Sequence, residues 1–202
     1  MATSPRHILA LVALLLFASC RQPEPMLHTG DLLFVMGKGA MDQAIRQATG
    51  DVTHVAIVVS QGDSCWIYDA TPRYGVRRVS HTTFLAQQES TDTIVAMRLV
   101  APFSSRRLLS FLRQALGTPY DSAFVEGNSR YYCSELVKYA FVDPDNKTPL
   151  FPSKPMNWRD RDGHLPQYWK EWFGRIHEPI PEGFPGTNPN DLFSSPILQP
   201  VE

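Results

Sequence analysis

The sequence predicts an α+β domain, an antiparallel sheet or barrel packed against helices, preceded by a segment that stays outside the fold. Three observations carry this. β-rich runs cluster in the first half of the chain around a Gln-Gly-Asp turn, helical spacing flanks them on both sides, and an apolar run stands at the N-terminus. At 202 residues and 43% hydrophobic content there is enough chain for one ordinary domain and hardly enough for two. The balance of 19 basic against 20 acidic residues, net charge -1, gives no electrostatic footprint for nucleic acid, which is therefore not an expected partner.

The N-terminal stretch "MATSPRHILALVALLLFASC" has a basic residue at Arg6, an apolar run from Ile8 to Phe17, and small residues before Cys20. The run is too short to span a bilayer and has the length of a signal-peptide core. Its ending, "FASC", resembles a bacterial lipobox with Phe17 where Leu is usual, which implies cleavage before Cys20 and lipidation of its thiol. An ordinary secretory signal with a chance cysteine is the alternative. The expected organisation is a signal peptide over 1–19, a lipidated tether over 20–29, and one domain over 30–202 with a Pro- and aromatic-rich extension from about 144. The mature protein is expected to be exported and anchored at a membrane.

The elements follow in order. "GDLLFVM" from Gly30 reads as a strand, and "GAMDQAIRQATG" places Met41, Ala44, Ile45 and Ala48 at helical spacing with Gly50 as the stop. "HVAIVVSQGDSCWIYDAT" is a hairpin, with "YGVRRVSH" and "DTIVAMRLV" as further strands. "SSRRLLSFLRQALG" is the clearest helix, capped by Ser, with Leu108, Leu109, Leu112, Ala115 and Leu116 apolar and Gly117 closing it. A short helix starting at Cys133 runs to about Val142, where Asp143-Pro144 ends it. Beyond lies a wrapping tail with little periodicity.

The hairpin brings a base and an acid together by arithmetic. With Gln61-Gly62 as the turn, His54 stands opposite Asp69; with Gly62-Asp63, His54 faces Thr71 and Asp69 faces Ala56. Side chains alternate with period two, so both registers leave His54 and Asp69 on one face, opposed or one diagonal step apart. An imidazole beside a carboxylate is the base and orienter of a triad. Either residue alone reads equally as a satisfied or strand-end side chain.

Cys133 opens a helix, where free N–H groups and the macrodipole favour a thiolate and a nearby imidazolium favours it further. The N–H at the helix start can donate to an oxyanion. Ser134 is a weaker nucleophile candidate, and Glu135 supports the first turn with its charge. The alternative for Cys133 is a disulfide with Cys65, which sits in the strand "SCWIYDA" where a small buried residue fits. Metal hydrolysis through His54, Asp69 and His81 matches no known ligand spacing. His28, His164 and His177 read as surface residues.

"GDLLF", "THVAIVV", "YDATPRYGV", "GTPYD" and "YYCSELV" together resemble the YiiX/YaeF group of circularly permuted papain-like amidases, relatives of the NlpC-type peptidoglycan hydrolases and more distantly of lecithin:retinol acyltransferase-like enzymes. The resemblance covers about Gly30 to Phe151, and its most telling feature is the order His, polar residue, Cys, reversed from unpermuted papain. It implies the permuted papain-like fold, a Cys133 nucleophile, a His54 base and, where the group usually shows Glu, the one-methylene-shorter Asp69. Tyr120 of "GTPYD" matches a recurrent tyrosine near the site, and Tyr132 is expected as a wall of the cleft; both also suit a core. The expected activity is a thiol amidase or peptidase acting on an amide or acyl substrate of the cell envelope, with no cofactor and no metal. A lipid acyl hydrolase or acyltransferase with the same triad and a non-catalytic envelope binding module are the alternatives. Specificity is expected in the Pro- and Trp-rich tail and the helix near Met41.

Overall fold

A computed structural model describes residues 26–145 and 147–202. The signal peptide, Arg6 and the lipidation at Cys20 fall outside the described residues. From Met26 onward the chain is already bound to the fold: Arg98 Nη2 donates to the Met26 carbonyl at 2.9 Å and Thr29 Oγ1 to the Ser60 carbonyl at 2.9 Å, so the last residues of the expected tether are docked.

The first element is strand β1 (Leu32–Met36), followed by helix α1 (Ala40–Thr49) and the hairpin of β2 (His54–Gln61) and β3 (Ser64–Thr71). Strand β4 (Gly75–Ser80), helix α2 (His81–Ala86), strand β5 (Thr93–Leu99) and helix α3 (Ser105–Ala115) come next. Helix α4 (Cys133–Ala140) precedes the tail, which folds into β6 (Lys154–Pro155), α5 (Gln167–Ile176), β7 (Pro185–Gly186), α6 (Pro189–Phe193) and β8 (Leu198–Pro200).

Six strands form one antiparallel sheet in the order β4-β3-β2-β1-β5-β8, open at β4 and β8 rather than closed as a barrel. Its central strands are near-continuous apolar runs because both faces are covered. Leu32, Phe34, Val55, Ile57 and Val59 join one core with residues of α1, α3, α4 and α5, while the alternate residues Leu33, Val35, Ala56, Val58 and Ile67 join another with Phe84 of α2. The fold is α+β as expected, an antiparallel sheet packed against helices.

Three expectations change. The tail is structured: Trp169 and Phe173, one helical turn apart, bury the inner face of α5, and β8 adds a sixth strand beside β5. The "VSH" run ends as a strand at Ser80, whose Oγ accepts the Thr83 N–H, so His81 begins α2. Helix α4 stops at Ala140, because Phe141 turns extended and its carbonyl accepts the Leu150 N–H.

Candidate active site

The β2–β3 hairpin closes on Gly62-Asp63, with Gln61 paired to Ser64 and Ile57 to Tyr68, the second of the two registers expected. Gly62 takes φ +57°, a conformation that suits glycine. Continued outward, this register sets Asp69 against Ala56 and leaves His54 one diagonal step away. The imidazole spans that step: His54 Nε2 lies 3.1 Å from Asp69 Oδ2. With Nε2 engaged, Nδ1 is the ring nitrogen left for the thiol.

Asp69 is 1% exposed and is held by a residue the sequence reading missed. Arg77 donates from Nε to Asp69 Oδ1 at 2.7 Å and from Nη2 to Oδ2 at 3.1 Å, while its Nη1 donates to Gln87 Oε1 at 2.8 Å. The β3–β4 pairing supplies the reason, since it sets Asp69 directly against Arg77. Counting back across the turn from Thr71 and Gly75 would have found it. Burial disfavours the Asp69 charge, yet the His54 and Arg77 donors hold its carboxyl below the usual carboxylate range.

Helix α4 packs on β2 and β3 and presents Cys133 to His54. No side chain caps this helix at Tyr132, and among the described residues its first N–H groups have no hydrogen-bond partner. Burial works against an imidazolium at His54, but hydrogen bonds to Asp69 and to Cys133 outweigh it and raise the group to about 10. At neutral pH the arrangement therefore favours an imidazolium, the partner a thiolate needs. Both Cys65 and Cys133 are free thiols, and they lie against opposite faces of the sheet, which excludes the disulfide. Burial, and secondarily the charge of Asp31, push the Cys65 thiol up.

A cavity of about 320 Å³ opens over these groups and includes Cys133, His54, Asp69 and Arg77 in its lining. Tyr120 and Tyr132 both line it. Burial pushes the Tyr120 phenol well above its usual range, with the charge of Cys133 adding to the effect. Tyr132 is 2% exposed and its Oη accepts the Thr187 N–H at 3.0 Å. The remaining walls are largely apolar: Met41, Ile45 and Ala48 of α1, Phe124, and Met156, Trp158 and Trp169 of the tail. Gly75, at φ +66°, fits under the Thr118 carbonyl, where a Cβ would fall 2.2 Å away, and so fastens the "GTPYD" segment to β4.

Glu135 departs from expectation. It is fully buried, and burial together with the nearby charge of Asp121 raises its carboxyl to about 8, against the pull of the Tyr132 and Gly127 N–H groups. It is mainly protonated at neutral pH, so it does not lend a negative charge to the first turn. The Ser134 hydroxyl is fully buried and committed to the Thr187 carbonyl, which leaves Cys133 as the nucleophile candidate. His28, His164 and His177 are exposed, as expected. His81 is not grouped with His54 and Asp69; among the described residues the one cluster of three potential metal ligands is Asp160, Asp162 and His164.

Known proteins resemble this chain over most of its length. The family described as permuted papain-like amidase enzyme, YaeF/YiiX, C92 family, matches residues 26–202. The uncharacterised protein YiiX of Escherichia coli K12 is 24% identical over 192 residues, covering 86% of this chain and 85% of its own length. The crystal structure titled as metalloprotein yiiX of Escherichia coli O157:H7 superposes with a TM-score of 0.70 at 23% identity, covering 87% of this chain and 96% of that one. With every described residue inside the match, and a Cys-His pair on a sheet and helix in permuted order, this chain belongs to the permuted papain-like amidase family, YaeF/YiiX.

Proposed function

We propose that this chain is a thiol amidase or peptidase of the cell envelope that works through an acyl-enzyme on Cys133 and is held at a membrane by lipid on Cys20. The observation that supports it best is His54, bridged between the Asp69 carboxylate and the Cys133 thiol with its proton affinity raised to about 10. The thiolate adds to a substrate carbonyl carbon, forming a C–S bond as the carbonyl electron pair moves onto oxygen. Collapse expels the amine, which takes the His54 proton as it leaves. Neutral His54 then accepts a proton from water, the water oxygen attacks the thioester, and the acid departs with the thiolate restored. Asp69 keeps the ring oriented and stabilises the imidazolium.

A second reading, acyl hydrolysis or transfer on a lipid by the same residues, draws support from the cavity's aliphatic and aromatic walls. The same cleft without turnover would make a binding module. An amide and ester substrate panel run on wild type, Cys133→Ala and His54→Ala separates the three. Amide cleavage lost in both variants supports the first reading, ester-only turnover the second, and no acylation of Cys133 by any substrate the third.

The Escherichia coli structure is titled a metalloprotein, so the donors here were weighed against a metal. Arg77 already holds both Asp69 oxygens as a bidentate cation, and Oδ2 also accepts from His54, so a second cation beside His54 would meet the guanidinium charge. The Asp160, Asp162 and His164 cluster lies outside the lining of the cavity that holds Cys133 and His54. The residues around His54 do not fit a resident metal, and no step of the reaction uses one.

A further inference from the structure

The tail contributes a group that the reaction above leaves unused. Thr187 lies between β7 and α6 and is 2% exposed. Its backbone is clasped by the two residues that flank the nucleophile: the Thr187 N–H donates to Tyr132 Oη at 3.0 Å, and Ser134 Oγ donates to the Thr187 carbonyl at 3.1 Å. Gly186 permits this close approach, since a Cβ there would fall 2.6 Å from the Met156 side chain and 3.1 Å from Tyr132 Oη.

Held from both sides of Cys133, Thr187 lines the same cavity as Cys133 and His54. The Thr187 side chain stands beside the Tyr132 phenol and opposes the upward push of burial on it, but among the described residues no group meets the buried Thr187 hydroxyl at hydrogen-bond distance and angle. Asp92 Oδ1 is also buried, in the cavity lining and without a partner among the described residues, yet a carboxylate can only accept when ionised and would repel an anion. A hydroxyl has one proton to donate and two lone pairs to receive others. It can take a hydrogen bond from Tyr132 and still give its own to a ligand.

We infer that Thr187 is an oxyanion donor: its hydroxyl hydrogen-bonds the oxygen that becomes negative when the Cys133 thiolate adds to a carbonyl, beside the N–H at the start of α4. This rests on the thiol hydrolase reading. No proton leaves Thr187; the carbonyl electron pair moves onto oxygen as the C–S bond forms and returns when the leaving group departs with the His54 proton. The tail thereby completes the site that the strands and α4 begin.

The test uses p-nitrophenyl butyrate as acyl donor and iodoacetamide as a thiol reagent, on wild type, Thr187→Val, Thr187→Ser and Cys133→Ala. Alkylation by iodoacetamide displaces iodide at a saturated carbon and forms no oxyanion. Thr187→Val should lose on the order of a hundredfold in kcat/KM, mostly in kcat, while its rate of Cys133 alkylation stays at the wild-type value. Thr187→Ser, which keeps the hydroxyl, should recover most of the turnover. Wild-type turnover in Thr187→Val overturns the inference and leaves the Cys-His reading standing. Equal losses of turnover and alkylation in Thr187→Val, or a Thr187→Ser variant as slow as Thr187→Val, would show a purely structural strap. Nitrophenolate release by Cys133→Ala at the wild-type rate overturns the thiol reading itself and the inference with it.

Discussion

Asp69→Asn looks mild from sequence alone, because an amide oxygen can still accept from His54. Arg77 reverses that expectation. Two Asp69 oxygens accept three N–H groups: Arg77 Nε at 2.7 Å on Oδ1, and Arg77 Nη2 and His54 Nε2, each at 3.1 Å, on Oδ2. An amide has one acceptor oxygen and one donor NH2. In the better flip its oxygen keeps the Oδ2 place, and its NH2 faces the Arg77 Nε donor at what was a 2.7 Å hydrogen bond. Arg77, only 16% exposed, has meanwhile lost its counter-charge. Removing one partner of a buried pair costs about 3–5 kcal/mol. The surviving bond from Arg77 to Gln87 Oε1 places Asp69→Asn at the lower end, about 3 kcal/mol, a fall of roughly 6–12 °C in Tm for a chain of this size. Arg77→Met in the same chain removes the clash and the unpaired charge together, so the double variant should lose less than the sum of the singles, by about 0.5–3 kcal/mol. Urea and thermal melts of wild type, both singles and the double give the cycle, and turnover is followed in parallel. Losses that add, or an Asp69→Asn protein that melts with wild type, would refute the reasoning that Arg77 sets what position 69 tolerates.

Three further outcomes follow from the charges and the N-terminus. His54 is raised from 6.5 to about 10 in the folded protein, so its stabilising contribution is whole below about pH 6.5 and is lost as pH rises through 10; kcat/KM should share that alkaline limb, and a limb near 6.5 would reject the ion pair. Glu135 is raised from 4.5 to about 8, so its contribution to folding is full below 4.5 and declines as pH climbs toward 8; Glu135→Gln should match wild type in thermal melts near pH 5 and melt higher above pH 8, and equal Tm values there would count against a buried neutral acid. If Cys20 carries lipid, a fatty-acid probe should label the exported wild type and not Cys20→Ala, and an unlabelled, soluble mature wild type would end the lipoprotein reading.

How far the sequence could reveal these residues depends on how far apart their partners lie. His54 and Asp69 were readable because the pleat has period two: either candidate register keeps them on one face, so the uncertain turn did not matter. Cys133 was readable because a helix N-terminus is a local signal, bounded by Asp143-Pro144. Arg77 needed a second hairpin counted across the Thr71 to Gly75 turn before it met Asp69, and its charge gave no hint of burial. The helix over Gln167–Ile176 had its signal in Trp169 and Phe173, but the prolines on either side masked the period. Thr187 sits in "FPGTNPN", a stretch in which most residues read as turn chemistry. Its contacts, Tyr132 and Ser134, are 55 and 53 positions away. No local window holds both sides of that clasp. It becomes visible only once β6 and β7 pair and set Gly186 against Met156 and the Tyr132 oxygen, where any side chain would hold the Thr187 backbone off the nucleophile's helix.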